Sequence, residues 1–464
     1  MTIQDVKDQL TAGATVRSIV LAAVDRAKAD HHNSVLSIIE KRALSRADDI
    51  DTRMASGKPV GRLAGVPFLA KDNILTFDSR TTASAHMLDN FQAPYQATLI
   101  ERLEAEGAIC IGKTNLDAFA HGGSTENSYY GPTKNIADTE RVAGGSSGGS
   151  AVAVAAGIVP FALGSDTGGS IRQPASYNGV VGLKPTYGSV SRYGVIAMAS
   201  STDIVGPIAT STDDVELVLA CMKGVDEHDG TTIDIEPFDT PVSLPLKIGV
   251  IEQSMADDVD PEVKSCITNA IQQAKAAGHT VEFINMPLQV YALAVYYIVV
   301  PAELTSNLAR YDGIKYGVSV PGDTIYDGYA KTRTEGFMDE NKRRILIGNY
   351  VLSSGYYDAY YKKAQTVRTL IVNEYKRAFE TYDILIGPVA PTPAFRLGEN
   401  IDDPLQMYLA DIMTVPASLA GLPAMSLPIG TTAAGLPVGL QIMAPMRQDY
   451  KVLQAAKIWE KING

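Results

Sequence analysis

Short apolar runs that stop at polar residues recur along the chain and predict β-strands. Three of them lie at residues 65–73 (GVPFLAKDN), 108–115 (AICIGKTN) and 382–391 (YDILIGPVAP). Each run ends at Lys, Thr, Asn, Gly or Pro, which is typical of a strand that reaches a polar edge. We therefore predict buried strands at these three positions.

Residues 246–287 combine a strand, a helix and a second strand. The segments read LKIGVIEQ, DPEVKSCITNAIQQAKAAGH and TVEFINMP. Asp260 followed by Pro261 predicts the N-cap and the first residue of the helix, and Gly278 predicts its end. The pattern is that of a βαβ unit.

These elements together predict the fold class. Strands that are apolar on both faces and alternate with helices favour a largely parallel or mixed sheet covered by helices on both faces. In such α/β folds the chemistry gathers in loops beyond the strand ends. The glycine-rich segments between residues 121 and 194 are therefore the first candidates for a site.

The N-terminal residues and the composition predict a soluble cytoplasmic protein. Residues 1–30 carry acids early and place apolar residues every three or four positions, which predicts two amphipathic helices rather than a signal peptide. The longest apolar runs, such as AVAVAAGIVPFALG, contain Gly and Pro and are shorter than the roughly 20 residues that a membrane span requires. Apolar residues make up 45% and charged residues 20% of the 464 residues, as in a globular protein.

The net charge of −12 makes direct nucleic-acid binding a poor first hypothesis, because an acidic surface repels phosphate backbones. The three cysteines, Cys110, Cys221 and Cys266, lie far apart and show no metal-ligand spacing. We expect free thiols in a reducing compartment.

A glycine-rich loop at residues 143–150 reads AGGSSGGS and leads into the run AVAVAAG, which predicts a buried helix. Glycine loops before helices commonly bind phosphate through exposed N–H groups. A P-loop requires GxxxxGK[ST], however, and this segment has no lysine at that position. Small residues also allow tight packing, so the loop alone is equally typical of a structural turn.

A second segment at residues 163–176, LGSDTGGSIRQPAS, changes this interpretation. It again places a serine, Ser170, directly after a pair of glycines, 24 residues beyond Ser146. Two glycine-supported serines on neighbouring loops indicate an assembled site.

A nucleophilic serine requires a base, which is a histidine or, less often, a lysine. Of the six histidines only His121 lies in a glycine-rich loop, and no pattern ties any of them to a serine. Lys71 ends the apolar run GVPFLA and is followed by Asp72 and Asn73, polar residues able to orient it. A lone lysine at a strand end is usually solvated, but burial would lower its pKa and make the neutral amine available. Together with the serine loops, Lys71 favours Ser-Lys catalysis.

Lys71 in AKDN, the loop GGSSGGSAVAVAAG and the segment GSDTGGSIRQPAS together resemble the amidase signature family in order and spacing. The resemblance implies one α/β/α domain over residues 1–464 around a mixed sheet. It would have N-terminal helices in about 1–50, catalytic loops in about 60–210 and substrate-pocket residues in about 245–464.

The same resemblance implies a Ser-cis-Ser-Lys triad. Ser170 is then the nucleophile, Ser146 is the bridging serine whose peptide bond is cis, and Lys71 is the base that accepts a proton through Ser146. An acyl-enzyme forms and ammonia leaves.

The residues around Ser170 have supporting roles in this reading. We expect an oxyanion hole of backbone N–H groups from Thr167, Gly168, Gly169 and Ser170. Asp166 and Arg172 flank this loop and are expected to brace it as a charge pair, and Ser147 is expected to be part of the glycine cradle.

Longer stretches, among them GGSTENSYYGPTKN and KRRILIGNYVLSSGYYDAYYKKAQ, resemble the glutaminase subunits of bacterial tRNA-dependent amidotransferases. This implies hydrolysis of glutamine to glutamate and ammonia. Arg344 would hold the substrate carboxylate, Asp411 its ammonium, and Tyr296 would line the pocket. From the residues alone, Arg344 is more typical of a charge on a helix surface and Asp411 of an acid at a helix N-terminus.

The resemblance also implies partners. This chain would form a heterotrimer with subunits B and C, and the partner would bind the aminoacylated tRNA. There the ammonia would convert Glu-tRNA(Gln), Asp-tRNA(Asn) or both. ATP and Mg are expected in the partner subunit, whereas no cofactor and no metal are expected in this chain.

Two other functions compete with this one. The first is a stand-alone amidase of the same fold that acts on another small amide, because the triad defines the reaction and not the substrate. The second is a non-catalytic scaffold or nucleotide-binding subunit in which the serine loops are only structural.

Overall fold

The computed structural model describes residues 1–400 and 403–463. Its centre is an 11-stranded mixed sheet with the strand order β1-β3-β2-β4-β6-β5-β10-β11-β9-β7-β8. The strands are β1 Val35–Ile38, β2 Pro67–Lys71, β3 Ile109–Thr114, β4 Phe161–Asp166, β5 Val181–Lys184, β6 Ile204–Ala209, β7 Lys247–Ile251, β8 Thr280–Ile284, β9 Ile384–Pro388, β10 Ala424–Thr431 and β11 Pro437–Met443.

Helices connect the strands and cover the sheet. They are α1 Ile3–Thr11, α2 Val16–Lys28, α3 Glu40–Ala55, α4 Thr98–Ala105, α5 Gly148–Ala155, α6 Arg172–Tyr177, α7 Thr212–Met222, α8 Pro261–Ala276, α9 Ala292–Leu308, α10 Ile325–Gly336, α11 Asp339–Leu352, α12 Lys363–Phe379, α13 Pro404–Leu409, α14 Val415–Leu419 and α15 Asp449–Asn463.

The sheet is parallel in two places and antiparallel elsewhere. Strand β2 pairs in parallel with β3 and β4, and β7 pairs in parallel with β8 and β9. The central strands β4, β6, β5, β10 and β11 are joined by antiparallel pairing. The prediction of an α/β fold with a mixed sheet is confirmed.

Both faces of the sheet are covered, as the apolar strands predict. Along β2 the side chains alternate: Phe68 and Ala70 enter one apolar cluster and Leu69 enters another. Helices α4, α7, α8 and α15 contribute to the first cluster, and α2, α3 and α5 contribute to the second. All five residues of β2 are buried.

The predicted βαβ unit is present as β7, α8 and β8, and the sequence accounts for the ends of its helix. The Asp260 carboxylate accepts hydrogen bonds from the N–H groups of Glu262 at 2.8 Å and Val263 at 3.3 Å. Pro261 occupies the first turn, and Gly278 beyond the helix has a φ of +91°, which glycine adopts without strain. The two predicted N-terminal helices are α1 and α2.

One helical stretch in the described part of the chain, Pro287–Leu308, is long and apolar enough to cross a membrane by length and composition. This corrects the expectation that every apolar run is too short. The stretch is 22 residues long, and 56% of its most apolar window is buried inside the structure. Its helix α9 packs against α11, α12 and α14, so much of its apolar surface belongs to the core.

Candidate active site

The glycine-serine loop at residues 143–150 leads directly into α5, the predicted buried helix. Ser146 and Ser147 are completely buried, and the peptide bond between Gly145 and Ser146 is cis, as the resemblance implied. A Cβ atom on Gly145 would lie 2.1 Å from the Asp117 Oδ2 atom and 2.6 Å from the Ser124 N atom. The loop therefore accepts no side chain at this position.

Lys71 is the last residue of β2 and reaches this loop from the sheet. Its side chain is completely buried. The Nζ atom lies 2.7 Å from Ser146 Oγ, 2.9 Å from Ser147 Oγ and 2.9 Å from Ser165 Oγ. The structure thus brings Lys71 and Ser146 into direct contact and adds Ser165, which the sequence analysis missed.

Burial lowers the pKa of Lys71 from 10.5 to about 7, because an ammonium group loses its hydration inside the fold. Three neighbouring carboxylates oppose this effect, those of Asp117, Asp166 and Asp203. The balance leaves a substantial fraction of the amine neutral near pH 7. A neutral amine 2.7 Å from a hydroxyl can accept its proton.

The two polar residues after Lys71 do not contact its amine, contrary to what the sequence suggested. Asp72 instead accepts hydrogen bonds from Thr82 N–H at 2.9 Å and the Thr82 hydroxyl at 2.5 Å, and pairs with Lys113 at 3.5 Å. Asn73 is linked to the Lys71 amine only through Ser165, because the Asn73 Nδ2 atom donates to Ser165 Oγ at 3.0 Å. Side chains on a strand alternate between faces, so consecutive residues rarely serve one group.

Ser170 lies on the loop between β4 and α6, against the cis-serine loop. The Ser147 N–H group donates to the Ser170 carbonyl oxygen at 3.1 Å and joins the two loops. Ser170 is 9% exposed, whereas Lys71 and Ser146 are 0% exposed. Within residues 1–400 and 403–463 the Ser170 hydroxyl makes no hydrogen bond, so it is the accessible member of the group.

The backbone before Ser170 offers unused hydrogen-bond donors. The N–H groups of Thr167, Gly168, Gly169 and Ser170 have no acceptor in the described part of the chain. The loop itself is held firmly: the Thr414 hydroxyl donates to Gly168 O at 2.6 Å, and the Thr167 hydroxyl donates to Asp203 at 2.7 Å. Fixed, unpaired N–H groups beside a serine are the requirement for an oxyanion hole.

The two loop glycines have no room for a side chain. A Cβ atom on Gly168 would lie 2.7 Å from the Tyr296 hydroxyl oxygen, and one on Gly169 would lie 2.1 Å from Thr414 Oγ1. Tyr296 on α9 therefore lies directly against the candidate oxyanion loop. The sequence analysis identified the glycine pair and named Tyr296 as a pocket residue through the resemblance, but it missed Thr414, which comes from an element far along the chain.

Asp166 and Arg172 form a buried ion pair at the base of this loop. Both carboxylate oxygens of Asp166 accept from the Arg172 guanidinium at 3.0 Å, and both side chains are 0% exposed. Burial alone would raise the pKa of Asp166, but the charge and hydrogen bonds of Arg172 outweigh it and lower that pKa. Arg172 also donates to Thr414 O, Gln441 Oε1 and Ser418 Oγ, which ties the loop to β11 and α14.

We expect Arg172→Met to destabilise the protein by about 3–5 kcal/mol, because it leaves the Asp166 carboxylate buried without its partner. The free energy of unfolding from equilibrium urea titrations at pH 7 measures this. The double variant Asp166→Asn/Arg172→Met removes the charge as well and should lose less. A single variant within about 1 kcal/mol of the parent would contradict the bracing role.

Arg344 on α11 is buried, with its guanidinium over the rings of Tyr297 at 5.2 Å and Tyr408 at 5.4 Å. Its Nε atom donates to Glu340 Oε1 at 2.7 Å, an oxygen that also accepts from the Tyr408 hydroxyl at 2.9 Å. The two terminal nitrogens of Arg344 have no acceptor among residues 1–400 and 403–463. The arginine is thus held on one edge and free on the other.

Asp411 lies in the turn before α14 and is 9% exposed. Its carboxylate borders the loop that carries Gly123, since a Cβ there would lie 3.5 Å from Asp411 Oδ2. Burial raises the pKa of Asp411 to about 8, and the positive charge of Arg344 opposes this. The carboxylate accepts no hydrogen bond from the described residues, so an incoming cation would find it unpaired.

His121, the alternative base, makes no hydrogen bond to either serine of the proposed triad among the described residues. Its ring is completely buried against α11, with Nδ1 2.5 Å from Asn341 Nδ2. The part of the chain that the structure describes contains no group of three or more His, Cys, Asp or Glu residues placed to hold a metal ion. The three cysteines are unpaired, as predicted.

Comparison with known proteins places this geometry in context. Residues 18–453 match the model of the Amidase family. Over 435 residues the chain is 48% identical to a curated relative from a Picosynechococcus species, the A subunit of its glutamyl-tRNA(Gln) amidotransferase. The match covers 92% of this chain and 90% of that protein.

Two solved structures are similar in fold. The A subunit of the glutamyl-tRNA(Gln) amidotransferase from Thermotoga maritima has a TM-score of 0.80 and 38% identity, covering 99% of this chain and 94% of that one. The peptide amidase of Stenotrophomonas maltophilia has a TM-score of 0.81 and 28% identity, covering 100% of this chain and 97% of that one.

Proposed function

Because this chain belongs to the amidase family, we propose that it is the glutamine-hydrolysing subunit of a tRNA-dependent amidotransferase. The observation that carries the chemistry is the buried Lys71 amine, 2.7 Å from Ser146 Oγ, beside a serine loop with unused N–H groups. The relatives that are A subunits of glutamyl-tRNA(Gln) amidotransferases, matched over most of their length, support this choice within the family.

The reaction starts at Ser170. Its hydroxyl oxygen attacks the carboxamide carbon, while its proton passes to Ser146 and the Ser146 proton passes to the neutral amine of Lys71. The N–H groups before Ser170 stabilise the negative charge that develops on the carbonyl oxygen. The proton then returns through Ser146 to the departing nitrogen, and ammonia leaves.

Water completes the cycle. The glutamyl ester on Ser170 is attacked by a water molecule, whose proton follows the same route through Ser146 to Lys71. The C–O bond to Ser170 breaks, and the serine recovers its proton from Lys71. One glutamine and one water thus give one glutamate and one ammonia, with the enzyme unchanged.

The pocket beside this site supports glutamine as the substrate. The free edge of Arg344 is suited to a carboxylate, and the unpaired Asp411 to an ammonium group. A cation at Asp411 would lower the raised pKa of that residue and restore its charge. Tyr296, which packs against Gly168, connects the pocket wall to the oxyanion loop.

The ammonia is then used elsewhere in the complex. Subunits B and C would complete a heterotrimer, in which the partner binds the charged tRNA and amidates Glu-tRNA(Gln), Asp-tRNA(Asn) or both. ATP and Mg are used by the partner subunit, and this chain supplies only ammonia. Its acidic surface, with a net charge of −12, suits a subunit that does not bind the tRNA itself, and we place the complex in the cytoplasm.

Replacing Arg344 or Asp411 with alanine should raise the KM for glutamine about 10- to 100-fold, because each variant removes a charge-assisted contact to an α-group. Ammonia release from glutamine by the purified complex is the measurement. Lys342→Ala is the matched control, since this half-buried lysine lies on the same helix and, among the described residues, pairs with Asp339 and the Thr334 carbonyl oxygen.

The same experiment tests the alternative of a stand-alone amidase. The similarity in fold to the peptide amidase supports this alternative. An amidase for another amide would hydrolyse it rapidly as an isolated chain and would not depend on Arg344 and Asp411 for glutamine. An unchanged KM in both variants would reject the glutamine pocket.

A further inference from the structure

His121 has an unusual environment that the triad chemistry does not use. Its side chain is completely buried in the loop between β3 and α5. One ring nitrogen, Nδ1, lies 2.5 Å from Asn341 Nδ2, and the other, Nε2, is buried without any hydrogen-bond partner in the described part of the chain. Buried polar atoms are rarely left unpaired, so this one requires an explanation.

The surrounding hydrogen bonds determine which nitrogen of His121 carries the proton. The Asn341 side chain is oriented by two backbone contacts: its oxygen accepts from Met338 N–H at 3.2 Å, and its nitrogen donates to Ala118 O at 2.8 Å. The same nitrogen therefore also donates to His121 Nδ1, which must be an acceptor. The neutral ring then carries its proton on Nε2.

The ring stays neutral because of its surroundings. Burial lowers the pKa of His121 well below its ordinary value, and the nearby charge of Arg344 lowers it further. His121 thus presents an uncharged Nε2–H donor close to a guanidinium group. Both groups are donors, so neither can satisfy the other.

His121 is connected through its neighbours to both residues that are assigned to the α-groups of the substrate. Asn341, its partner, precedes Arg344 by one helical turn on α11. On the other side, His121 is two residues before Gly123, whose backbone borders the Asp411 carboxylate. The loop and α11 therefore meet at the contact between His121 and Asn341, next to the segments that carry Arg344 and Gly123.

We propose that His121 is a specificity-determining residue, whose Nε2–H group donates to the α-carboxylate of the substrate beside Arg344. This inference rests on the proposed glutaminase function and deepens it. The terminal nitrogens of Arg344 and the His121 Nε2 atom all lack acceptors among residues 1–400 and 403–463. One carboxylate has two oxygens with free lone pairs and can satisfy a guanidinium and an imidazole together.

The test compares two substrates that differ only in the carboxylate, glutamine and 4-aminobutanamide. The full-length chain is purified with its partner subunits, and ammonia release is measured for the parent, His121→Phe and His121→Gln. Phenylalanine keeps the ring and removes both nitrogens, whereas the glutamine amide restores a donor near the Nε2 position. His86→Phe is the matched control, because the His86 ring stacks on Tyr129, a residue with no assigned role in substrate binding.

We expect His121→Phe to lower kcat/KM for glutamine about 10- to 100-fold, mainly through KM, as the loss of a hydrogen bond to a charged group predicts. Its activity on 4-aminobutanamide should stay within about twofold of the parent. His121→Gln should recover much of the loss, and His86→Phe should behave as the parent.

Each other result overturns the inference. Equal losses on both substrates would make His121 merely structural, and an unchanged KM for glutamine in His121→Phe would remove it from the pocket. A parent enzyme that does not prefer glutamine over 4-aminobutanamide would overturn the proposed function as well. A preference that survives in His121→Phe would overturn this inference alone.

Discussion

Replacing Ser170 with alanine is expected to abolish ammonia production from glutamine and to leave the amidation of tRNA by added ammonium intact. Without the hydroxyl no acyl-enzyme can form, and losses at the nucleophile of a serine hydrolase are on the order of 10⁴- to 10⁶-fold in kcat. The partner would still receive ammonia from solution. The measurement is transfer to charged tRNA by the whole complex, with glutamine and with ammonium chloride as alternative donors.

Several controls make this result specific. Ser200→Ala, at an exposed serine away from the site, should retain both activities. Ser146→Ala should also lose glutamine use, since it removes the hydroxyl that passes the proton of Ser170 to Lys71 in the proposed route. Retained glutamine-driven transfer in Ser170→Ala would support the scaffold alternative and end the nucleophile assignment.

The sequence was sufficient to predict the elements that depend on local pattern. Strand β2, helix α5 and the βαβ unit of β7, α8 and β8 all follow from runs of apolar residues and from local capping signals. The residues alone favoured Ser-Lys catalysis with Lys71, but the separate roles of Ser146 and Ser170 came only from the resemblance, because two glycine-supported serines and a lysine do not by themselves define how their loops pair. Their contact depends on the parallel pairing of β2 with β4, a long-range event.

The environment of each site residue was harder to predict. Asp72 follows Lys71 directly but turns to Thr82 and Lys113, whereas Ser165, distant in sequence, reaches the amine. Thr414 fills the space beside Gly169 because α14 packs under the loop. Such neighbours are set by tertiary packing, for which a single sequence has no local signal.

The pH dependence of catalysis tests the role of Lys71. Its pKa in the fold is about 7, so the amine is protonated below that pH and cannot accept the proton of Ser146. We expect kcat at saturating glutamine, where Asp411 is already paired with the substrate ammonium, to fall as the pH drops through about 7 and to reach a plateau above it. The ratio kcat/KM should rise further to about pH 8, because Asp411, whose pKa is about 8, must lose its proton before it binds the ammonium group. Lys71→Met removes the base, and we expect a loss of roughly 10³-fold or more in kcat, with a residual kcat that no longer falls near pH 7.

Other buried groups titrate in the same pH range. Assigning the pH dependence to Lys71 therefore requires a control variant at another buried lysine. Burial also lowers the pKa of Lys184, at the end of β5, to about 7, and raises that of Asp117 to about 7. Lys184→Met removes an equally buried amine, whose hydrogen bond within the described part of the chain is to the Pro185 carbonyl oxygen. If Lys71 is the base, Lys184→Met keeps the fall in activity below about pH 7, whereas Lys71→Met loses it. If the fall in activity at low pH disappears in Lys184→Met and persists in Lys71→Met, the base is not Lys71. The proton route through Ser146 would then have no acceptor.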